Sequence, residues 1–173
     1  MGVDAENPRL YFFRDVYMNA MRVLGRQSVV LGLKGNDKTA IIAELVDTLV
    51  SAGLITDHES ALKVVLEREK KMSTGLQSGV AIPHGKTDTI EHLVAAIGIK
   101  KDGVEFESLD GLPAKIIVLT LSPTSRSGPH IQFLAEISKS LADASNRESI
   151  LNATTQDEVI EILFPEKSAQ TAA

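Results

Sequence analysis

Two apolar runs constrain this chain more than anything else in it. Residues 115–121 read KIIVLTL, dense in β-branched side chains, and residues 93–99 read LVAAIGI. Neither alternates polar with apolar positions, so each predicts a buried strand. The segments around them follow a helical period instead. Asp37 is placed to cap a helix over 38–52, whose Ile41, Ile42, Leu45, Val46 and Leu49 form one apolar stripe ended by Gly53. Thr56 and Glu59 have capping-box spacing and predict a helix over 57–71, with Ala61, Leu62, Val65 and Leu66 inward. Further helices are predicted over 130–142, 147–152 and 156–163, the last opened by Thr155 and Glu158. Short strands are predicted over 27–33 and 80–82. Asp102-Gly103 reads as a hairpin turn with a minor strand, GVEF, after it, and Ser122-Pro123 as the stop of the strong strand. Helices and strands are interleaved, turn signals imply antiparallel pairing, and helical crossovers imply parallel pairing. The expected fold class is therefore α/β, a mixed β-sheet flanked by helices on both faces.

One domain accounts for residues 26–165, with an N-terminal extension at 1–25 and a frayed tail at 166–173. In the extension Leu10, Phe13, Val16, Tyr17, Met21 and Leu24 recur at helical spacing between Pro8 and Gly25. They predict one amphipathic helix that packs on the domain or makes a homodimer or partner contact through residues 10–24.

Several function classes fall away on composition. The chain has no cysteine, which removes disulfides, thiolate catalysis and thiolate-bound zinc and fits a reducing, cytoplasmic location. No apolar run reaches about 18 residues, so no membrane insertion is expected. The opening MGVDAENPRL lacks the basic flank and apolar core of a secretion signal. A net charge of −5 and the lack of tryptophan argue against nucleic acid as a partner. Residues 32–39, GLKGNDKT, nearly form a phosphate-binding loop, but Asp37 stands where that loop needs glycine, and its carboxylate would repel a triphosphate. His58 and Glu59 lack the second histidine of a zinc-protease motif, and His58 and His92 read as surface residues. No cofactor and no metal are expected.

The stretch SGVAIPHGK, residues 78–86, remains. It reads as a short strand that stops and presents one imidazole, His84. No nucleophile-elbow serine and no cysteine accompany this histidine, so it is a candidate nucleophile in its own right, with phosphorus as the natural electrophile. Such a site needs an accessible ring, a partner that fixes its tautomer, and donors or cations for the phosphoryl oxygens. Pro83 restricts the approach, and Gly85 removes a side chain that would crowd the group. Arg68 could supply a forked cation, Thr74 and Ser78 hydroxyls, and Lys86 nearby charge. His130, after Gly128-Pro129 at a predicted helix start, could donate to a phosphoryl oxygen beside the helix N–H groups. Each of these also reads as an ordinary helix, loop or surface residue.

GVAIPHG (79–85), with LEREKKMSTGL (66–76) upstream, resembles the type 2 enzyme IIA family of the bacterial phosphoenolpyruvate:sugar phosphotransferase system, the fructose, mannitol and nitrogen-regulatory class. HIQFLA (130–135) resembles the helix opening that holds the family's second histidine, Arg68-Glu69 its arginine–glutamate pair, and DGLP (110–113) a later element. The resemblance covers roughly residues 27–164. It implies the enzyme IIA type 2 fold and a phosphotransferase component. His84 would accept a phosphoryl group from an HPr-type phosphocarrier protein and pass it to a cysteine of an enzyme IIB domain for sugar uptake. His130 would stabilise the group and Arg68 would orient it, with no metal or cofactor. The alternative it leaves open is a stand-alone nitrogen or metabolic regulator that controls partner proteins through its phosphorylation state.

Overall fold

The structure, a computed structural model, describes residues 23–125 and 127–165. The expected helix over 10–24 lies outside these residues but for its last two, as does the tail after 165.

A 3₁₀ turn, Arg26–Ser28, leads into β1 (Val29–Val30), shorter than the strand expected over 27–33. Two helices follow, α1 (Lys38–Ser51) and α2 (His58–Lys71). Asp37 caps α1 by accepting from the Ala40 N–H, the role that its position suggested. The cap of α2 is Asp57, which accepts from the Ser60 N–H. The Thr56/Glu59 box does not form, because a carboxylate one residue later reaches the same open N–H groups.

Next come β2 (Val80–Ala81), β3 (His84–Thr87), β4 (Val94–Val104) and β5 (Ala114–Pro123). One sequence expectation fails here. Asp102-Gly103 is no hairpin turn: β4 runs on through it to Val104, and the irregularity is absorbed as a register shift against β5. The chain turns between β4 and β5 instead, where Gly111 adopts a left-handed φ of 72°. Ser122-Pro123 does end β5, with Pro123 as its last residue, paired with Thr87. Three helices close the domain: α3 (Gly128–Ala142), α4 (Ala144–Asn152), started early by the Asp143 cap, and α5 (Gln156–Leu163), capped by Thr155.

The sheet runs β1-β4-β5-β2, with β3 also on β5. The β4–β5 pair is antiparallel and the others are parallel. Both central strands are buried on two sides, as their sequences required. Ala95, Ile97, Ile99, Ile116 and Val118 face α3–α5 through Phe133, Ile137, Ile150 and Val159. The alternate residues Val94, Ala96, Ile117, Leu119 and Leu121 face α1 and α2 through Ile41, Leu45, Leu49 and Val65. The result is a three-layer sandwich, and the α/β expectation holds.

β2 and β3 share one register on β5, with Val80 opposite Ile116 and His84 opposite Thr120. They form a single edge strand interrupted at Pro83, which has no N–H to give to a ladder. His84 is the first residue after that interruption.

Candidate active site

His84 does not sit on a loose end. Its strand is held at each of the preceding two residues. The Ile82 N–H donates to the Thr74 carbonyl, and the Thr120 N–H donates to the Pro83 carbonyl. The His84 ring closes this frame, with Nδ1 3.0 Å from the Ile82 carbonyl oxygen. A carbonyl only accepts, so Nδ1 carries a proton, and in the neutral ring Nε2 keeps its lone pair. The side chain is half-buried.

His130 approaches from the other layer. It is the third residue of α3, is 7% exposed, and its ring centroid lies 5.8 Å from that of His84, tilted by 51°. Its Nε2 lies 3.1 Å from Oγ1 of Thr120. Burial pushes the His130 pKa below the usual histidine value, and the charges of His84 and Lys86 add to that effect. The surroundings of the free ring therefore favour its neutral form. Ser127 makes no side-chain cap at the start of α3, the positive end of the helix, and His130 lies in the first turn.

The other residues singled out in the sequence divide. Arg68 lies near the end of α2 and donates from Nη1 to the Met72 carbonyl, 2.9 Å away. Its helix packs over β3: a Cβ on Gly85 would lie 2.9 Å from Val64 Cγ2 and 3.2 Å from the Val65 nitrogen. This revises the expectation for Gly85. It makes room for a helix, not for an incoming phosphoryl group. Thr74 is buried, and both its N–H and its hydroxyl go to Glu69. Its hydroxyl is spent inside the protein, contrary to the expected phosphate contact. Ser78, at a left-handed φ of 60°, gives its N–H to Asp110 and lies beyond Val80. The four rungs from Val80 to His84 span about 13 Å, so Ser78 is at the far end of the edge strand from the imidazole, another expectation that fails. Lys86 is exposed.

Sequence reasoning missed Thr120, which stands opposite His84 in register and reaches His130. The signal was a lone hydroxyl inside an apolar strand, a group that has to find a partner once buried. It also missed Lys38, whose ammonium lies 3.0 Å from Glu69. No short-range pattern announces a pair separated by 31 positions.

A cleft of about 710 Å³ is lined by Ile55, Ile90, Phe133 and Phe164 among others, and includes neither His84 nor His130. His84 lies half-buried on the edge strand, and exposed Ile131 follows the buried His130 in α3.

Fold and site together define a three-layer α/β protein that presents paired imidazoles at the interrupted edge of a mixed sheet. The chain belongs to the EIIA 2 family of the phosphoenolpyruvate-dependent sugar phosphotransferase system, whose family model matches residues 22–165. It is 35% identical over 126 residues to the fructose-specific EIIA component of Haloferax volcanii, an alignment covering 73% of this chain and 82% of that one. It is 32% identical over 146 residues to the fructose-specific EIIABC component of Bacillus subtilis, covering 84% of this chain and 23% of that much longer protein. Among solved structures it is similar to the nitrogen regulatory protein IIA-Ntr of Neisseria meningitidis, with a TM-score of 0.76, 29% identity and coverage of 82% of this chain and 97% of that one. It is also similar to enzyme IIA-Mtl of Escherichia coli, solved in complex with phosphorylated enzyme IIB-Mtl, with a TM-score of 0.69, 27% identity and coverage of 80% and 95%.

Proposed function

We propose that this protein is a phosphocarrier of the phosphotransferase system and that His84 is its phosphoryl acceptor. The carrying observation is the hydrogen bond from His84 Nδ1 to the Ile82 carbonyl, which leaves Nε2 as a lone-pair nucleophile on a ring that cannot turn freely. Nε2 attacks the phosphorus of a phosphohistidine on an HPr-type carrier. The donor N–P bond breaks, and its electron pair returns to the donor ring. The proton on Nδ1 stays in place, so only the phosphoryl group changes hands. Passage to an enzyme IIB domain reverses the roles: a cysteine thiolate attacks phosphorus, and the electron pair returns to Nε2.

Phosphoryl transfer depends on positioning and charge stabilisation. His130, the start of α3 and Arg68 supply donors and positive charge. The position of His84 on an edge strand, outside the cleft, suits exchange between proteins better than capture of a small molecule. A cytoplasmic site of action follows from HPr and IIB as partners. No helix among the described residues is long and apolar enough to cross a membrane.

The test is incubation with phosphoenolpyruvate, enzyme I and HPr, followed by intact mass. Wild-type protein gains one phosphoryl group, and His84→Ala does not. No adduct, or one that survives the substitution, overturns the assignment. The similarity to IIA-Ntr supports a second reading, in which the same phosphohistidine regulates a partner instead of feeding transport. Addition of a IIB domain separates the two, because only the transport role discharges the group to it.

A further inference from the structure

Thr120 occupies an unusual place in this frame. It is fully buried in β5, opposite His84 in the ladder. Its backbone N–H holds the Pro83 carbonyl, one residue before His84. Its side-chain oxygen lies 3.1 Å from His130 Nε2, the only hydrogen bond to that ring among the described residues. One strand position thus grips the peptide that carries one imidazole and the ring of the other. The two rings, 5.8 Å apart at their centroids, do not hold one another.

We propose that Thr120 is the positioning residue that sets the tautomer of His130 and fixes its place relative to His84. The inference rests on the phosphocarrier role of His84. With Nε2 engaged by Thr120, Nδ1 is the one ring nitrogen left to meet a phosphoryl oxygen. The hydroxyl can donate to Nε2 or accept from it; the donating role, which we assign to the resting protein, places the proton of the neutral ring on Nδ1, where it can be donated to that oxygen. When the ring takes up a second proton, the same hydroxyl turns and accepts from Nε2–H. A hydroxyl can hold the imidazole in both charge states, which no donor-only or acceptor-only side chain can do. The β-branched side chain has few rotamers on a strand, so the oxygen's direction is set by the sheet.

Thr120→Val keeps shape and branching and deletes the hydroxyl, Thr120→Ser keeps the hydroxyl, and Thr120→Ala guards against a packing fault peculiar to valine. Phosphorylation by phospho-HPr, followed by rapid quench and intact mass, is expected to slow about tenfold in Thr120→Val and Thr120→Ala, the cost of one ordinary hydrogen bond. Thr120→Ser is expected to stay within about threefold of wild type. Long-range ¹H–¹⁵N spectra of the unphosphorylated protein should show His130 as the Nδ1–H tautomer in wild type and Thr120→Ser, and as a shifted or mixed form in the other two. Denaturant titrations allow rates to be expressed per folded molecule. Wild-type rate and tautomer in Thr120→Val overturn the proposal, and so does an equal slowing in Thr120→Ser. If wild type itself gains no phosphoryl group, the phosphocarrier assignment falls, and the tautomer comparison alone then decides whether Thr120 governs His130.

Discussion

Glu69 accepts both the backbone N–H and the hydroxyl of Thr74, and thereby ties the end of α2 to the strand that presents His84. Thr74 passes the restraint on through its own carbonyl, which holds the Ile82 N–H, and the Ile82 carbonyl holds the imidazole. Lys38 completes the clamp from α1 at 3.0 Å, with its ammonium also over the Phe106 ring. The Glu69 side chain is 5% exposed and that of Lys38 19%, so deleting the carboxylate leaves a largely buried cation with the more distant, exposed Glu107 at 3.7 Å and strands the two donors of Thr74. Glu69→Ala is expected to cost about 3 kcal/mol in denaturant titration and to broaden the His84 ring resonances.

Acid should act through the same residue. Burial raises the Glu69 pKa, but the hydrogen bonds from Thr74 and Lys38 and the Lys38 charge together outweigh it, so the net value lies below the usual 4.5. The unfolded chain therefore binds the proton more tightly than the folded one. The contribution of Glu69 to stability is complete above about pH 4.5 and is lost as pH falls through its depressed folded pKa. Denaturant midpoints measured from about pH 6 down to pH 3 should fall more steeply for wild type than for Glu69→Gln across that window.

Gly85→Ala separates the two accounts of that glycine. The added methyl would lie 2.9 Å from Val64 Cγ2 and 3.2 Å from the Val65 backbone nitrogen, so α2 has to move off β3. The expected result is a loss of about 1–3 kcal/mol in unfolding free energy. Phosphorylation per folded molecule should change less than stability does. Unchanged stability with abolished transfer would restore the steric account.

What the sequence disclosed and what it hid have one cause. Local patterns carry over well: the apolar runs became the central strands, and Asp37 and Thr155 cap the helices they were expected to open. Asp102-Gly103 misled because Gly103, at a left-handed φ of 78°, can sit in a strand irregularity as readily as in a turn. At the site, His84 and His130 stood out through their neighbours in the chain. The partners that orient them did not. Ile82 acts through a main-chain carbonyl, and Thr120 through pairing in a register that no local pattern specifies. Thr74 and Ser78 were expected at the phosphate because both carry hydroxyls in the right loop. The three-dimensional path gives one hydroxyl to Glu69 and takes the other to the far end of the strand.

Arg68→Lys tests shape against charge. The guanidinium holds the Met72 carbonyl with one nitrogen, leaving a forked donor surface that an ammonium lacks. Arg68→Lys is expected to keep the charge and still lose about tenfold in the rate of phosphorylation from phospho-HPr, with little change in the unfolding midpoint. A rate equal to wild type would mean that charge alone suffices at this position.

His130 should act as a reporter of phosphorylation. Burial lowers its pKa first, and the charges of His84 and Lys86 lower it further from the usual 6.5. In the unphosphorylated protein the unfolded chain therefore takes up this proton before the folded one does, and this residue makes stability fall as pH drops from about 6.5 toward the folded pKa. Lys86→Ala removes one repelling charge and should raise the pKa of His130 in an NMR pH titration. A phosphoryl group on His84 puts negative charge beside the ring and should raise it further, so that His130 holds its proton to higher pH when the carrier is loaded. A rise of one unit corresponds to about 1.4 kcal/mol of added attraction between the ring and the phosphoryl group. Identical titrations of the free and phosphorylated proteins would show that His130 does not sense the anion, and would remove it from the transfer step.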